Sequence, residues 1–143
     1  GTVGFEGPLH GLARLQRTRE AMSHYARALL LQQDLPDALD GLSWILATDA
    51  NPGVRNGTEA VRMSERACEL TGRKDPAKLK TLAAAYAEAG RFREAIDAAQ
   101  AAHDLAAQAN GRGLADECLL MLEQFKAAKP WRQQSGSPKG SGK

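Results

Sequence analysis

The chain is 143 residues long, with 43% hydrophobic and 25% charged residues and a formal net charge of +2 from 19 basic and 17 acidic side chains. That length suits one domain with a core of its own, and the composition excludes a disordered polyelectrolyte. The charges are interspersed, so no broad nucleic-acid footprint follows, and no run approaches the roughly 18 apolar residues of a membrane span or forms a secretory signal.

Alanine dominates the middle of the chain and β-branched residues are sparse, which favours helix. A first segment over 9–33 spaces Ala21, Tyr25, Ala28 and Leu29 for one helical face, and any break near Gln16 to Thr18 has no glycine to mark it. Pro36 suits a first helical turn, and Leu39, Leu42, Ile45 and Leu46 then share a face up to Thr48. The run Asp49-Ala50-Asn51-Pro52-Gly53 ends that helix. Asn56-Gly57 then marks a turn, and Thr58 is expected as the N-cap of a helix that turns Ala60, Val61, Ser64, Ala67, Cys68 and Leu70 inward. Gly72 closes it in a left-handed conformation.

Asp75 reads as an N-cap with Pro76 at the first helical position, introducing Leu79, Leu82, Ala83 and Tyr86. Gly90 breaks the pattern, and Arg91-Phe92 opens a helix whose inner side is built from Ala95, Ala99 and Ala102. Such small residues let helices approach closely, which places this helix between others. Gly111 to Gly113 are expected to form a turn before a last amphipathic helix over 114–127, with Leu114, Cys118, Leu122 and Phe125 in one stripe. Residues 130–143 have the composition of a flexible tail, although the indole of Trp131 has apolar area to hide and can dock back onto the helices.

The spacings that mark an enzyme are missing: there is no HExxH, no Walker loop and no nucleophile elbow, and His10, His24 and His103 stand apart from one another and from the cysteines. The sequence therefore points to a non-enzyme with neither cofactor nor metal. Cys68 and Cys118, far apart and set among apolar or alanine-rich neighbours, read as two buried thiols, which favours a reducing compartment such as the cytoplasm. The opening Gly1-Thr2 reads as the start of a piece of a longer parent.

Superposing the segments reveals a register in which Leu79, Leu82, Ala83, Tyr86, Gly90, Ala95, Ala99 and Ala102 recur at fixed offsets, centred on Thr81-Leu-Ala-Ala-Ala-Tyr-Ala-Glu-Ala-Gly-Arg-Phe-Arg-Glu-Ala-Ile96. This pattern resembles the tetratricopeptide repeat. Leu39, Leu42, Ser43, Leu46, Ala60, Ser64 and Ala67 repeat it with a longer connection, whose Asp49 to Gly57 segment is expected to protrude as a loop. The stretch from Arg19 to Ala28 matches only the second helix of an earlier unit. The long loop, the Asp-Pro helix start and the Ala-Glu-Ala-Gly-Arg-Phe turn also resemble C-terminal repeats of large bacterial multi-repeat proteins.

The resemblance implies an all-α fold, a right-handed superhelix of helical hairpins with a C-terminal capping helix. It divides the chain into an N-terminal segment or degenerate first helix over 1–14, a repeat domain over 15–129 and a tail over 130–143. It further implies a non-catalytic scaffold whose first helices line a concave groove for a protein or peptide partner, with no nucleic-acid or membrane contact. Carried onto this chain, the groove-facing residues are Asp37, Asp40, Trp44 and Thr48, then Ala77, Lys80, Ala84 and Glu88. Trp44 reads either as a ligand-facing anchor or as a core residue, and Lys80 either as a partner for a ligand carboxylate or as a solvated lysine. Arg55 and Asn56 either contact a partner or serve the turn at Gly57. The competing reading is self-association, with Leu9, Leu12 and Leu15 covered by a second copy or a swapped helix, or intramolecular assembly within a larger multidomain protein.

Overall fold

The structure, a computed structural model, describes residues 7–133 and the side chains from His10 onward. Among the described residues there are six helices and no strand: α1 (Gly7–Leu31), α2 (Pro36–Thr48), α3 (Gly57–Leu70), α4 (Pro76–Glu88), α5 (Phe92–Gln108) and α6 (Arg112–Lys126). Positions 134–143 of the expected tail and the side chain of Leu9 lie outside the described residues.

Local chemistry accounts for most of the boundaries. The Asp75 carboxylate accepts a hydrogen bond from the Ala77 N–H at 3.0 Å, with Pro76 in the first turn of α4. The cap of α3 is Asn56, not Thr58: its Oδ1 accepts from the Glu59 N–H at 3.1 Å, so the Asn-Gly pair begins a helix in place of the bare turn expected there. Gly90 (φ 81°) ends α4, and the Arg91 N–H donates to the Tyr86 carbonyl at 2.8 Å. After α5 the left-handed position falls to Asn110 (φ 61°), which frees Gly113 to join the first turn of α6. Helix α1 runs unbroken through Gln16 to Thr18, and Pro8 lies in its first turn, where a proline costs no helical hydrogen bond.

Consecutive helices pack together along the chain, and the even-numbered helices also touch one another, α2 on α4 and α4 on α6; no comparable contact joins α3 to α5. The result is two rows, an inner one of α2, α4 and α6 and an outer one of α3 and α5. Alanine makes this close packing feasible: Ala83, Ala84, Ala95, Ala99 and Ala102 have no exposed surface, and Leu82, Met121 and Phe125 fill the spaces among them. Where α3 meets α2, Ser43 and Ser64 both donate to the Ala60 carbonyl, at 2.8 and 2.7 Å, so these two buried hydroxyls are satisfied.

Helix α1 packs mainly on α2, and its Thr18 hydroxyl also donates to Asp49, just beyond α2, at 3.4 Å. Gly41 permits the contact, since a Cβ there would lie 2.3 Å from the Tyr25 ring. The rest of α1 is at best half-buried, and its Leu12, Leu30 and Leu31 remain 61%, 87% and 85% exposed.

Candidate binding face

The inner row brings most of the expected face residues together, and their side chains are already engaged with one another. At the N-terminal end of α2, Asp37 pairs with Lys78 of α4, which also reaches Asp75. At mid-helix, Trp44 is half-buried against the core, with the Lys80 ammonium 4.4 Å from its ring centroid. Lys80 also donates to Glu117 of α6 at 3.2 Å, so one lysine ties the three inner helices together.

Asp40 lies between Trp44 and Asp37 in the sequence of α2 and is largely withdrawn from water. Its Oδ1 is buried without a hydrogen-bond partner. Burial raises the carboxyl above the ordinary carboxylate range, against the opposing influence of the nearby Thr81 hydroxyl and the charges of Lys78 and Lys80.

Two residues expected on the face do not present a side chain there. Thr48 and Ala84 have no exposed surface. Thr48 turns its hydroxyl back onto the Trp44 carbonyl at 2.7 Å, and the Ala84 methyl is too short to emerge from the tightly packed row. Helical register assigns a side, but the distance between neighbouring helices decides what emerges on it.

The far end of the row, where α2, α4 and α6 terminate, is more elaborate than the sequence suggests. Glu88, the last residue of α4, receives Arg55 Nε on Oε2 at 3.2 Å and Arg132 Nη1 on Oε1 at 2.7 Å. Arg55 also donates to the Asp49 carbonyl at 2.7 Å, and the Asn56 N–H donates to the Leu46 carbonyl at 2.8 Å. These bonds fold the Asp49 to Gly57 segment onto the helix ends. It does not protrude as a whole; its tip, residues 50–53, and Asn56 are exposed, while Asp49 is buried and Val54, Arg55 and Gly57 are half-buried.

Residues 130–133 run back across the same end. Trp131 lies beside Leu120, Glu123 and Gln124 of α6 and packs on the core, Arg132 reaches Glu88 of α4, and the Gln133 N–H donates to the Thr48 carbonyl of α2 at 2.8 Å. The docking signal in the sequence is the indole alone; nothing marks Arg132 as a partner of Glu88.

A separate concavity of about 750 Å³ opens between α1, α2 and α3, lined by Leu29, Leu30, Leu39, Leu42, Met63 and Arg66 among others. It opens on the α1 and α3 side of α2, and Gln33, Asp34, Arg62, Glu65 and Glu69 line it as well. Among the described residues no three of His, Cys, Asp and Glu cluster as metal ligands would, and no helix is long and apolar enough to cross a membrane. Comparison of the chain with protein-family models, with curated proteins and with solved structures finds no match.

Proposed function

We propose that the chain is a tetratricopeptide-like stack that acts as a non-catalytic scaffold, holding an extended polypeptide on the face formed by α2, α4 and α6. In this reading α2/α3 and α4/α5 are successive hairpins of a right-handed superhelix, α1 is the second helix of a preceding unit, and α6 is the cap. Support comes from the alternation of the contacts, in which every second helix meets its counterpart, and from the small buried residues at the repeat offsets.

The observation that carries the reading is the non-helical 130–133 segment reaching the ends of the inner helices, with a main-chain hydrogen bond to Thr48 and a charged one to Glu88. A surface that orders one short segment has the donors, acceptors and apolar area to order an extended peptide. The test is to pan a library of displayed extended peptides over the full chain and measure the selected binders against Trp44→Ala and Glu88→Ala variants shown by circular dichroism to be folded. Losses of about tenfold or more support the reading. Binders indifferent to both changes overturn it.

A second reading, self-association, is favoured by the exposed Leu12, Leu30 and Leu31 on α1, of which Leu30 borders the concavity between α1, α2 and α3. Light scattering over a range of concentrations tests it. A Leu30→Lys/Leu31→Lys variant converts a dimer to monomer if those residues form its interface.

A further inference from the structure

The end of the inner row already holds a peptide, and the groups that hold it specify what else fits. The Thr48 carbonyl, one of those a helix leaves without an intrahelical partner at its C-terminus, accepts the Gln133 N–H at 2.8 Å. Glu88 divides its two oxygens: Oε2 is held by Arg55, itself anchored on the Asp49 and Ala50 carbonyls, while Oε1 receives Arg132 at 2.7 Å. One oxygen is thus fixed to the scaffold and the other is aimed at the visiting arginine, in a charge-assisted bond that is shorter and stronger than a neutral one.

Two further features point the same way. The C-termini of α2, α4 and α6 converge here, and each places partial negative charge where a cation is favoured. Ala128 takes a left-handed conformation (φ 57°), held by the Lys129 N–H bond to the Gln124 carbonyl, that sends the chain back across the row.

We infer that this end of the face recognises an extended segment in which an aromatic residue immediately precedes an arginine, and that the chain's own Trp131-Arg132-Gln133 fills the site in cis until such a partner displaces it. The inference rests on the reading of the inner row as a peptide-holding face. The cis segment is joined to α6 by only a few residues, so its effective concentration is on the order of millimolar or higher. A partner displaces it by extending along the row to Trp44, whereas the polar contacts of residues 130–133 go to Thr48, Glu88 and the segment itself.

The test uses a fluorescein-labelled peptide of sequence Lys-Pro-Trp-Arg-Gln-Gln-Ser, matching residues 129–135, added in trans to the full chain. Anisotropy is read for the wild type and for Trp131→Ala/Arg132→Ala, whose own segment can no longer compete. The double variant is expected to bind the peptide at least tenfold more tightly than the wild type, and adding Glu88→Gln is expected to remove at least tenfold of that gain. Should the double variant fail to fold, Arg132→Ala/Gln133→Pro removes the arginine and the main-chain donor while its indole still competes, so a smaller gain over the wild type is expected, again lost with Glu88→Gln.

Equal binding to wild type and variant, or binding indifferent to Glu88→Gln, overturns the inference. A concentration-dependent dimer that disappears with Trp131→Ala/Arg132→Ala also overturns it, by assigning the site to a second copy's segment. If peptides selected by panning need Trp44 but bind wild type and Arg132→Ala alike, cis occupancy falls while the peptide-holding face stands.

Discussion

The Lys80 ammonium sits 4.4 Å from the centre of the Trp44 ring and 3.2 Å from a Glu117 oxygen, so a single side chain on α4 couples α2 to α6. Only 19% of the Lys80 side chain is exposed, which strengthens its attraction to the ring relative to an open surface. Replacing Lys80 by Met keeps the stem and removes the charge, and is expected to cost about 0.5–1 kcal/mol. In a Trp44→Leu background the part of that cost owed to the ring disappears, while the part owed to Glu117 remains. Urea unfolding of the two single variants and the double variant measures the coupling, and additive losses would mean that the ring and the ammonium do not interact.

Gly57 is required by packing rather than by turn geometry. A Cβ there would lie 2.8 Å from the Ala89 N and 2.9 Å from the Glu88 carbonyl carbon, where α3 abuts the end of α4. Both obstacles are backbone, so Gly57→Ala must part the two helix ends, at a cost of about 1–3 kcal/mol. Gly113 provides the contrast: it lies in the first turn of α6 with open space at its Cβ. Gly113→Ala is therefore expected to stabilise by about 0.5–1 kcal/mol. Thermal unfolding of both variants decides the matter, and a neutral Gly57→Ala would remove the close approach.

These glycines illustrate how much of the fold is legible in the sequence. Helix boundaries are readable wherever one residue both stops a helix and supplies the turn, as Gly90 does, or caps its start, as Asp75 does. They are obscured where two adjacent candidates compete for one position, since Asn110 takes the left-handed conformation beside Gly111, and Asn56 caps α3 two residues ahead of Thr58. The helical period places Asp37, Trp44, Lys80 and Glu88 on one row, but it carries no information about how close neighbouring helices lie, and so it assigns Thr48 and Ala84 to a surface they do not reach. The Glu88–Arg132 contact spans 44 residues, and no periodic pattern encodes a pairing of that separation.

Three un-ionised groups make the fold sensitive to alkali. Burial pushes the Cys68 and Cys118 thiols from 9.0 up to about 11. Tyr86 rises from 10.0 to about 12, first through burial and then because its hydroxyl donates to Glu65 at 2.7 Å, where a phenolate would face a carboxylate. For an acid whose folded value is raised, the stabilisation is complete below the unfolded value and disappears as pH climbs through the folded one. Stability is therefore expected to hold to about pH 9 and then fall through pH 11 to 12. Urea unfolding at pH 8, 10 and 11 should show that fall in the wild type, and a Cys68→Ala/Cys118→Ala/Tyr86→Phe variant should show less of it. Parallel pH curves for the two proteins would assign the loss to other groups.

Ala128 offers the most direct probe of the chain reversal after α6. Its φ of 57° accompanies hydrogen bonds from the Ala128 N–H to Phe125 and from the Lys129 N–H to Gln124, both at 2.9 Å, which satisfy carbonyls of the last helical turn. A methyl group makes that conformation about 1 kcal/mol less favourable than it is for glycine, which has no Cβ to crowd the following carbonyl. Glycine also loosens the unfolded chain, so Ala128→Gly is expected to gain only about 0.5–1 kcal/mol, or roughly 2–5 °C in Tm. Ala128→Val should do the reverse, since a β-branched side chain is disfavoured in the left-handed region, and it should also loosen the Trp131 indole, read as a red shift in tryptophan emission. If glycine destabilises and valine is neutral, the chain does not turn back through residue 128, and the docking of Arg132 on Glu88 loses its geometric support.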